Sequence, residues 1–261
     1  MRILFLGDIM GQPGRMAALA SISRLKSELE LDGVLANVEN VSGGIGLTPK
    51  NALELREAGL DAMTSGNHIW KHKEILPFIQ ETPWLLRPAN YPPGTPGMGW
   101  GVYDLGRLKI GVLNLQGRVF MRQLDCPFQA ADRLVEAISR QTRHILVDFH
   151  AEATSEKKAL LYYLDGKVSA VLGSHTHVQT NDAQITESGT GFISDVGMSG
   201  PHDSVIGMDP ESMLDGFLRQ LPQKFSVAKG PVRLEGALLE LDPGSGTTRS
   251  LQAWQEAGHF T

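Results

Sequence analysis

In the stretch GSHTHVQT, Gly173 to Thr180, two histidines stand one residue apart directly after the apolar run VSAVL. If that run is a strand, His175 and His177 lie just beyond its carboxyl end. A locally extended backbone would point both imidazoles to one face, because strand side chains repeat with period two. Imidazole is the commonest metal ligand, although one isolated His-x-His also fits two surface histidines in a polar loop. The other chemically capable residues decide between these. Asp8 closes ILFLGD, Glu39 and Asn40 close GVLANVEN, Asn67 and His68 close DAMTSGNH, and His150 closes HILVDFH. In α/β sheets, ligands bind beyond the carboxyl ends of strands, so these segments deliver oxygen and nitrogen donors to one edge and point to a metal site. Carboxylates, an amide oxygen and imidazoles without thiolate suit iron, manganese or zinc more than a structural zinc held by cysteines. The donors are too many for one ion. Two are expected, because a carboxylate can bridge a pair, and paired ions activate water and clamp phosphoryl oxygens. Each histidine of the HTH would then reach a different ion.

The elements that must position these residues alternate. ILFL, GVLAN, HILVDF and VSAVL suit strands buried on both faces. Segments of helical spacing lie between them: GRMAALASISRLKSELE, TPKNALELREAG, ADRLVEAISRQ and SEKKALLYYLDG. Thr48 before Pro49 reads as a cap followed by proline at the first helical position, and Gly59 as a stop. The middle segment reads as two strands turning at LGRLK, and the end as an antiparallel hairpin. The expectation is an α/β protein with mixed sheets or a two-sheet sandwich flanked by helices. It is a single domain over residues 1–261, in which RVFMRQLDCPFQAADR, residues 118–133, could project as a small cap.

A chain of 261 residues can bury a large core without staples. Its net charge of −5 lacks any long basic run, which argues against grip on duplex nucleic acid. The single cysteine, Cys126, cannot form an internal disulfide and fits a reducing cytoplasm. The first apolar run is too short for a signal-peptide core, and no stretch approaches a membrane span, so a cytoplasmic location is expected. There is no G-x-x-x-x-G-K-[ST] phosphate loop, H-E-x-x-H helix or G-x-S-x-G nucleophile turn.

The blocks GDIMG, VEN, SGNHIW, DFH and GSHTH, in that order over residues 7 to 177, resemble those of the calcineurin-like metallophosphoesterases. Two positions depart from that pattern: Met10 stands where the first block normally has histidine, and Glu39 where the bridging aspartate sits. With GDIMGQPGR, NVENVSGGIG and SDVGMSGPHDSVIG, these departures resemble the bacterial YmdB-like branch over nearly the full length. The resemblance implies a four-layer α/β/β/α sandwich with a dinuclear site of two divalent or mixed-valence transition ions, iron favoured and manganese or zinc as alternatives. By motif position it implies that Asp8, Glu39, Asn40 and His177 hold one ion, and that Glu39, Asn67, His150 and His175 hold the other. It further implies a homo-oligomer and phosphodiesterase activity on cyclic nucleotides, including 2′,3′-cyclic substrates opened to 3′-nucleotides.

His68, adjacent to a ligand, would sit beside the substrate and protonate the leaving sugar oxygen while activated water attacks phosphorus; its alternative role is to orient a ligand. Asp148 and Asp195, near strand ends, are either partners that fix an imidazole or structural acids. His72, His144, His202 and His259 read as surface or structural, and Trp70, Trp84 and Trp100 as core. The partner is a small phosphate ester, a nucleotide. Two rival functions are a phosphomonoesterase and a regulatory protein that binds metal and nucleotide without turnover.

Overall fold

The computed structural model describes residues 1–222 and 224–258. Its first half runs β1 (Arg2–Leu6), β2 (Asp8–Ile9), α1 (Gly11–Glu28), β3 (Gly33–Asn37), α2 (Pro49–Glu57), β4 (Ala62–Thr64) and, after a 3₁₀ turn at Ile69–Lys71, α3 (Ile75–Gln80). It continues through β5 (Trp100–Asp104), β6 (Lys109–Gln116), α4 (Pro127–Ser139), β7 (Ile145–His150), α5 (Thr154–Leu164) and β8 (Ala170–Ser174). The remainder is β9 (Gln184–Ile185), β10 (Gly191–Ile193), β11 (Met198–Pro201), α6 (Pro210–Arg219), β12 (Val232–Leu241) and β13 (Thr248–Gly258).

The strands form two mixed sheets. In the first, β1, β3 and β4 are parallel, and β12 runs antiparallel to β1, β11 and β13. In the second, β6, β7, β8 and β10 are parallel, with β5 and β9 antiparallel at its two edges. Period-two alternation then assigns each strand two apolar faces. Ile3 and Phe5 of β1 join Leu146, Ala170 and Leu172 in a core between the sheets. Leu4 and Leu6 face the other way and pack with Ala18, Ile22 and Leu55 of α1 and α2. Val147 and Phe149 of β7 pack outward with Ala131 of α4 and Leu160 of α5. The result is helix, sheet, sheet, helix, with every strand of the centre needing to be apolar on both sides. Each such fully buried side chain contributes about 1.5–3 kcal/mol.

Local signals behave as their chemistry dictates. The Thr48 side chain accepts from the Asn51 amide at the start of α2, with Pro49 in the first turn. LGRLK makes the β5–β6 turn, where Asp104 accepts from the amide of Gly106. The β12–β13 hairpin turns on Asp242, whose carboxylate accepts from Gly244 and Ser245.

The 118–133 stretch divides in two. Residues 118–126 form a loop tied down where Glu156 accepts from the Arg118 and Val119 amides, with Phe120 90% exposed. Pro127 opens α4, which buries Ala130 and Ala131 against the second sheet. Any projecting cap is confined to the first of these parts. Trp70 and Trp84 pack against the first-sheet core, and Trp100 against the second. Among the described residues no helix is long and apolar enough to cross a membrane.

Candidate metal centre

The carboxyl ends of β1, β3, β4, β7 and β8 meet at one rim, and all eight expected site residues converge there. Glu39 is fully buried at the middle. Its Oε1 lies 3.0 Å from His150 Nε2 and 3.4 Å from His68 Nδ1, while Oε2 accepts from the His68 backbone N–H at 2.8 Å. On one side, His150 Nε2 faces Asn67 Oδ1 at 3.2 Å and His175 Nδ1 at 3.0 Å. On the other, Asn40 Nδ2 lies 3.5 Å from Glu39 Oε1, 3.4 Å from Asp8 Oδ1 and 3.1 Å from His177 Nε2. Donor atoms of Glu39, His150 and His175 lie within 4.8 Å of one another.

Each imidazole is pinned through one ring nitrogen and turns the other inward. His150 Nδ1–H donates to Ser174 Oγ at 3.0 Å, because that hydroxyl spends its own proton on Asp148 at 2.6 Å. His177 Nδ1 donates to the Ile206 carbonyl at 2.8 Å, and His175 Nε2 lies 3.2 Å from a Glu152 carboxylate oxygen. Such outward partners fix the tautomer and leave a lone pair for a metal. The donor set therefore fits transition ions. Asn40 carries one reservation, since its amide turns Nδ2 inward and gives Oδ1 to His68 Nδ1 at 3.0 Å. A half-turn of the amide group exchanges the two atoms.

Without metal the charges offset one another. Burial alone would push His150 down, but attraction to Glu39 and a hydrogen bond donated to its carboxylate lift it to about 9. Burial would raise Glu39, yet His150 holds it well below the usual carboxylate range. His177 is lifted and Asp8 lowered by each other against burial. His175 is pushed down to about 3 by burial and by the neighbouring His150 charge, and burial raises Asp148 to about 6.

The backbone of the HTH corrects the extended-loop expectation. His175 has φ +105° and His177 φ +62°, both in the left-handed region. The side chains reach the centre through strained turns, which cost about 1–3 kcal/mol each. Asp195 anchors the residue between them, accepting from Thr176 N at 3.0 Å and Thr176 Oγ1 at 2.8 Å. The same carboxylate pairs at 2.9 Å with Lys157, and both side chains are 1% exposed. Asp148 and Asp195 thus both act as supports beneath the ligands. Gly66 of SGNH has a different necessity: a Cβ there would collide with the His150 ring and the Glu39 carboxylate.

Reading the residues one at a time missed Glu152, Ser174, Thr176 and Lys157. Glu152 and Ser174 lie two residues from His150 and one from His175, so adjacency was the available signal; Lys157 offered none. Asn37, likewise missed, donates to Asp148 at 3.1 Å. His72 bonds the Ser42 carbonyl and His144 the Asp242 carbonyl, both as structural groups. His202 bonds the Met198 carbonyl beside a second, polar cavity that also touches His177. His259 lies outside the described residues.

Fold and site together define the metallophosphoesterase class. A putative 5′-nucleotidase from Staphylococcus aureus shares this fold at a TM-score of 0.58 and 13% identity, covering 97% of this chain and 54% of that one. The chain belongs to the YmdB-like protein family, whose model matches residues 4–253. It is 47% identical over 242 residues to the 2′,3′-cyclic-nucleotide 2′-phosphodiesterase of Bacillus subtilis (strain 168), covering 93% of this chain and 92% of that protein. A novel phosphatase from Mycoplasma pneumoniae superposes with a TM-score of 0.92 at 34% identity, covering 98% of this chain and 93% of that one.

Proposed function

We propose that this chain, a phosphoric ester hydrolase by family, is a metal-dependent phosphodiesterase that opens 2′,3′-cyclic nucleotides to 3′-nucleotides. The observation that carries the reading is the convergence of three imidazoles, each pinned at one nitrogen and turned inward at the other, on two buried carboxylates. Asp8, Glu39, Asn40 and His177 would hold one ion, and Glu39, Asn67, His150 and His175 a second, iron favoured over manganese or zinc. Glu39 would be shared between the two, a role supported by its contacts with His150 on one side and Asn40 on the other. Bound ions would supply an activated water and neutralise charge on the phosphoryl oxygens.

The chain's own residues do the rest. Glu152, Ser174 and the Ile206 carbonyl keep the three imidazoles aimed. His68 lines the cavity with its side chain 39% exposed and its Nδ1 tied to Asn40 and Glu39. From there it gives a proton to the sugar O2′ as the P–O2′ bond breaks, leaving the phosphate on O3′. A homo-oligomer belongs to the same reading, because α6 buries none of its residues and leaves Leu214, Phe217 and Leu218 more than half exposed.

The test is a substrate panel with Mn²⁺ or Fe²⁺: 2′,3′- and 3′,5′-cyclic nucleotides, bis-p-nitrophenyl phosphate and p-nitrophenyl phosphate. The expected result is turnover of the 2′,3′-cyclic esters to 3′-nucleotides. Turnover confined to p-nitrophenyl phosphate would replace this reading with a phosphomonoesterase, which the name of the Mycoplasma relative favours.

A further inference from the structure

Met10 stands where the metallophosphoesterase motif that the sequence resembles has a histidine, and the structure gives it another occupation. It is 1% exposed and packs with Met198 and Met208, with Ile45 and Met213 against them. Three glycines of the motifs left over from the metal centre make the room. A Cβ on Gly207 would strike the Met10 side chain. One on Gly200 would come within 2.8 Å of Met10 Cβ, and one on Gly44 within 3.0 Å of Met208 Cε. Gly44 and Gly207 also sit at φ +88° and +92°, where a side chain is strained.

This cluster forms one half of a cavity of about 420 Å³ whose other half is the metal centre. Its apolar wall is Met10, Ile45, Ile206, Met208, Met213 and Phe225. The polar side chains of the lining, among the described residues, are site residues, Glu152 bonded to His175, and Thr176 bonded to Asp195. The apolar wall therefore offers no side-chain donor or acceptor for reading a base edge. Its volume lies near the low end of the about 300–1,000 Å³ of small-ligand sites, which suits a nucleoside better than a long acyl chain. Thioethers are polarisable, adaptable and attracted to aromatic rings.

We infer that this methionine-rich wall is the nucleobase subsite, and that it grips any base by dispersion and sulfur–aromatic contact without distinguishing one from another. The inference rests on the proposed cyclic-nucleotide reading and deepens it. Apolar pockets separate related ligands by about 10–200-fold, whereas sites that hydrogen-bond a ligand reject the wrong one by about 10⁴–10⁵-fold.

The experiment measures kcat/KM of the metal-loaded protein on the 2′,3′-cyclic phosphates of adenosine, guanosine, cytidine and uridine, and on glycerol 1,2-cyclic phosphate, which has no base. The four nucleotides should agree within about 200-fold, and all should exceed the glycerol ester. Ile45→Ser and Met213→Ser, on separate half-buried segments, should each shrink the nucleotide-over-glycerol preference by roughly tenfold, chiefly through KM. Bases separated by more than about 10³-fold would overturn the inference, as would a preference unchanged in both variants. If no cyclic phosphate is turned over, the functional reading fails separately. Calorimetry with adenosine 3′-monophosphate against glycerol 2-phosphate then decides the pocket: tighter binding of the nucleotide, weakened in both variants, supports it, and equal affinity overturns it.

Discussion

Glu39 has no exposure and two imidazoles within 3.4 Å of one carboxylate oxygen, and among the described residues no lysine or arginine pairs with it. A carboxylate so placed is compensated by protonated His150 when metal is absent and by cations when it is present. Glu39→Gln keeps the shape and removes the charge, so metal content of the purified variant should collapse together with activity; two retained ions would show that Glu39 is no bridge. The His150 shift adds a pH dependence. Its pKa is raised to about 9, so the metal-free site carries that proton at neutral pH, and a ligand must give it up. Loading at pH 7.5 in weak buffer should release protons, and apparent metal affinity should fall as pH drops below about 9; proton-neutral loading would contradict this. For His68, the leaving group is the probe. Proton donation contributes about 10²–10⁴-fold, and a sugar alkoxide needs it while p-nitrophenolate does not. His68→Ala should keep its metals, lose most turnover of a 2′,3′-cyclic nucleotide and lose far less of bis-p-nitrophenyl phosphate. Equal losses would assign His68 to positioning.

The β8 end carries backbone strain, because two non-glycine residues with positive φ flank Thr176. The Asp195 carboxylate holds that turn from beneath and is itself neutralised by buried Lys157 on α5. Removing one member of a buried pair costs about 3–5 kcal/mol, since the other charge is stranded. Asp195→Ala should therefore lower thermal stability by about that much. Adding Lys157→Met should recover much of the stability, because no charge is left unpaired. Metal occupancy should stay low even so, because the Thr176 anchor is still missing. Recovery of both in the double variant would mean that Asp195 supports only the fold.

At the scale of the whole molecule, two sheets bring the ends of five strands to one rim while helices close both outer faces. The apolar face of α6 remains open. Leu214, Phe217 and Leu218 on α6 are 56%, 64% and 82% exposed, on a helix with no buried residue. In the proposed homo-oligomer a second copy covers this face. Light scattering after size exclusion should give an oligomeric mass for the native chain and a smaller one for Phe217→Glu/Leu218→Glu. An unchanged mass would locate the interface elsewhere.

What could be read without coordinates was whatever depends on short-range pattern. Doubly apolar runs ending in Asp8, Glu39, His150 and His175 required covered parallel strands and placed their donors at carboxyl ends. Thr48–Pro49 set the start of α2, and LGRLK the β5–β6 turn. The residues that support those donors were not legible, because they are joined to them only across the fold. Glu152 reaches His175, Lys157 reaches Asp195, and the Ile206 carbonyl reaches His177 over separations that no periodicity encodes. The conformation of the HTH was likewise decided by its tertiary anchors: Asp8 accepts from the His175 amide, Asp195 from Thr176, and the Ile206 carbonyl from His177. Met10 sums up the division: sequence marked it as a departure from the metal-binding pattern, and only packing against Met198 and Met208 gave that departure a place.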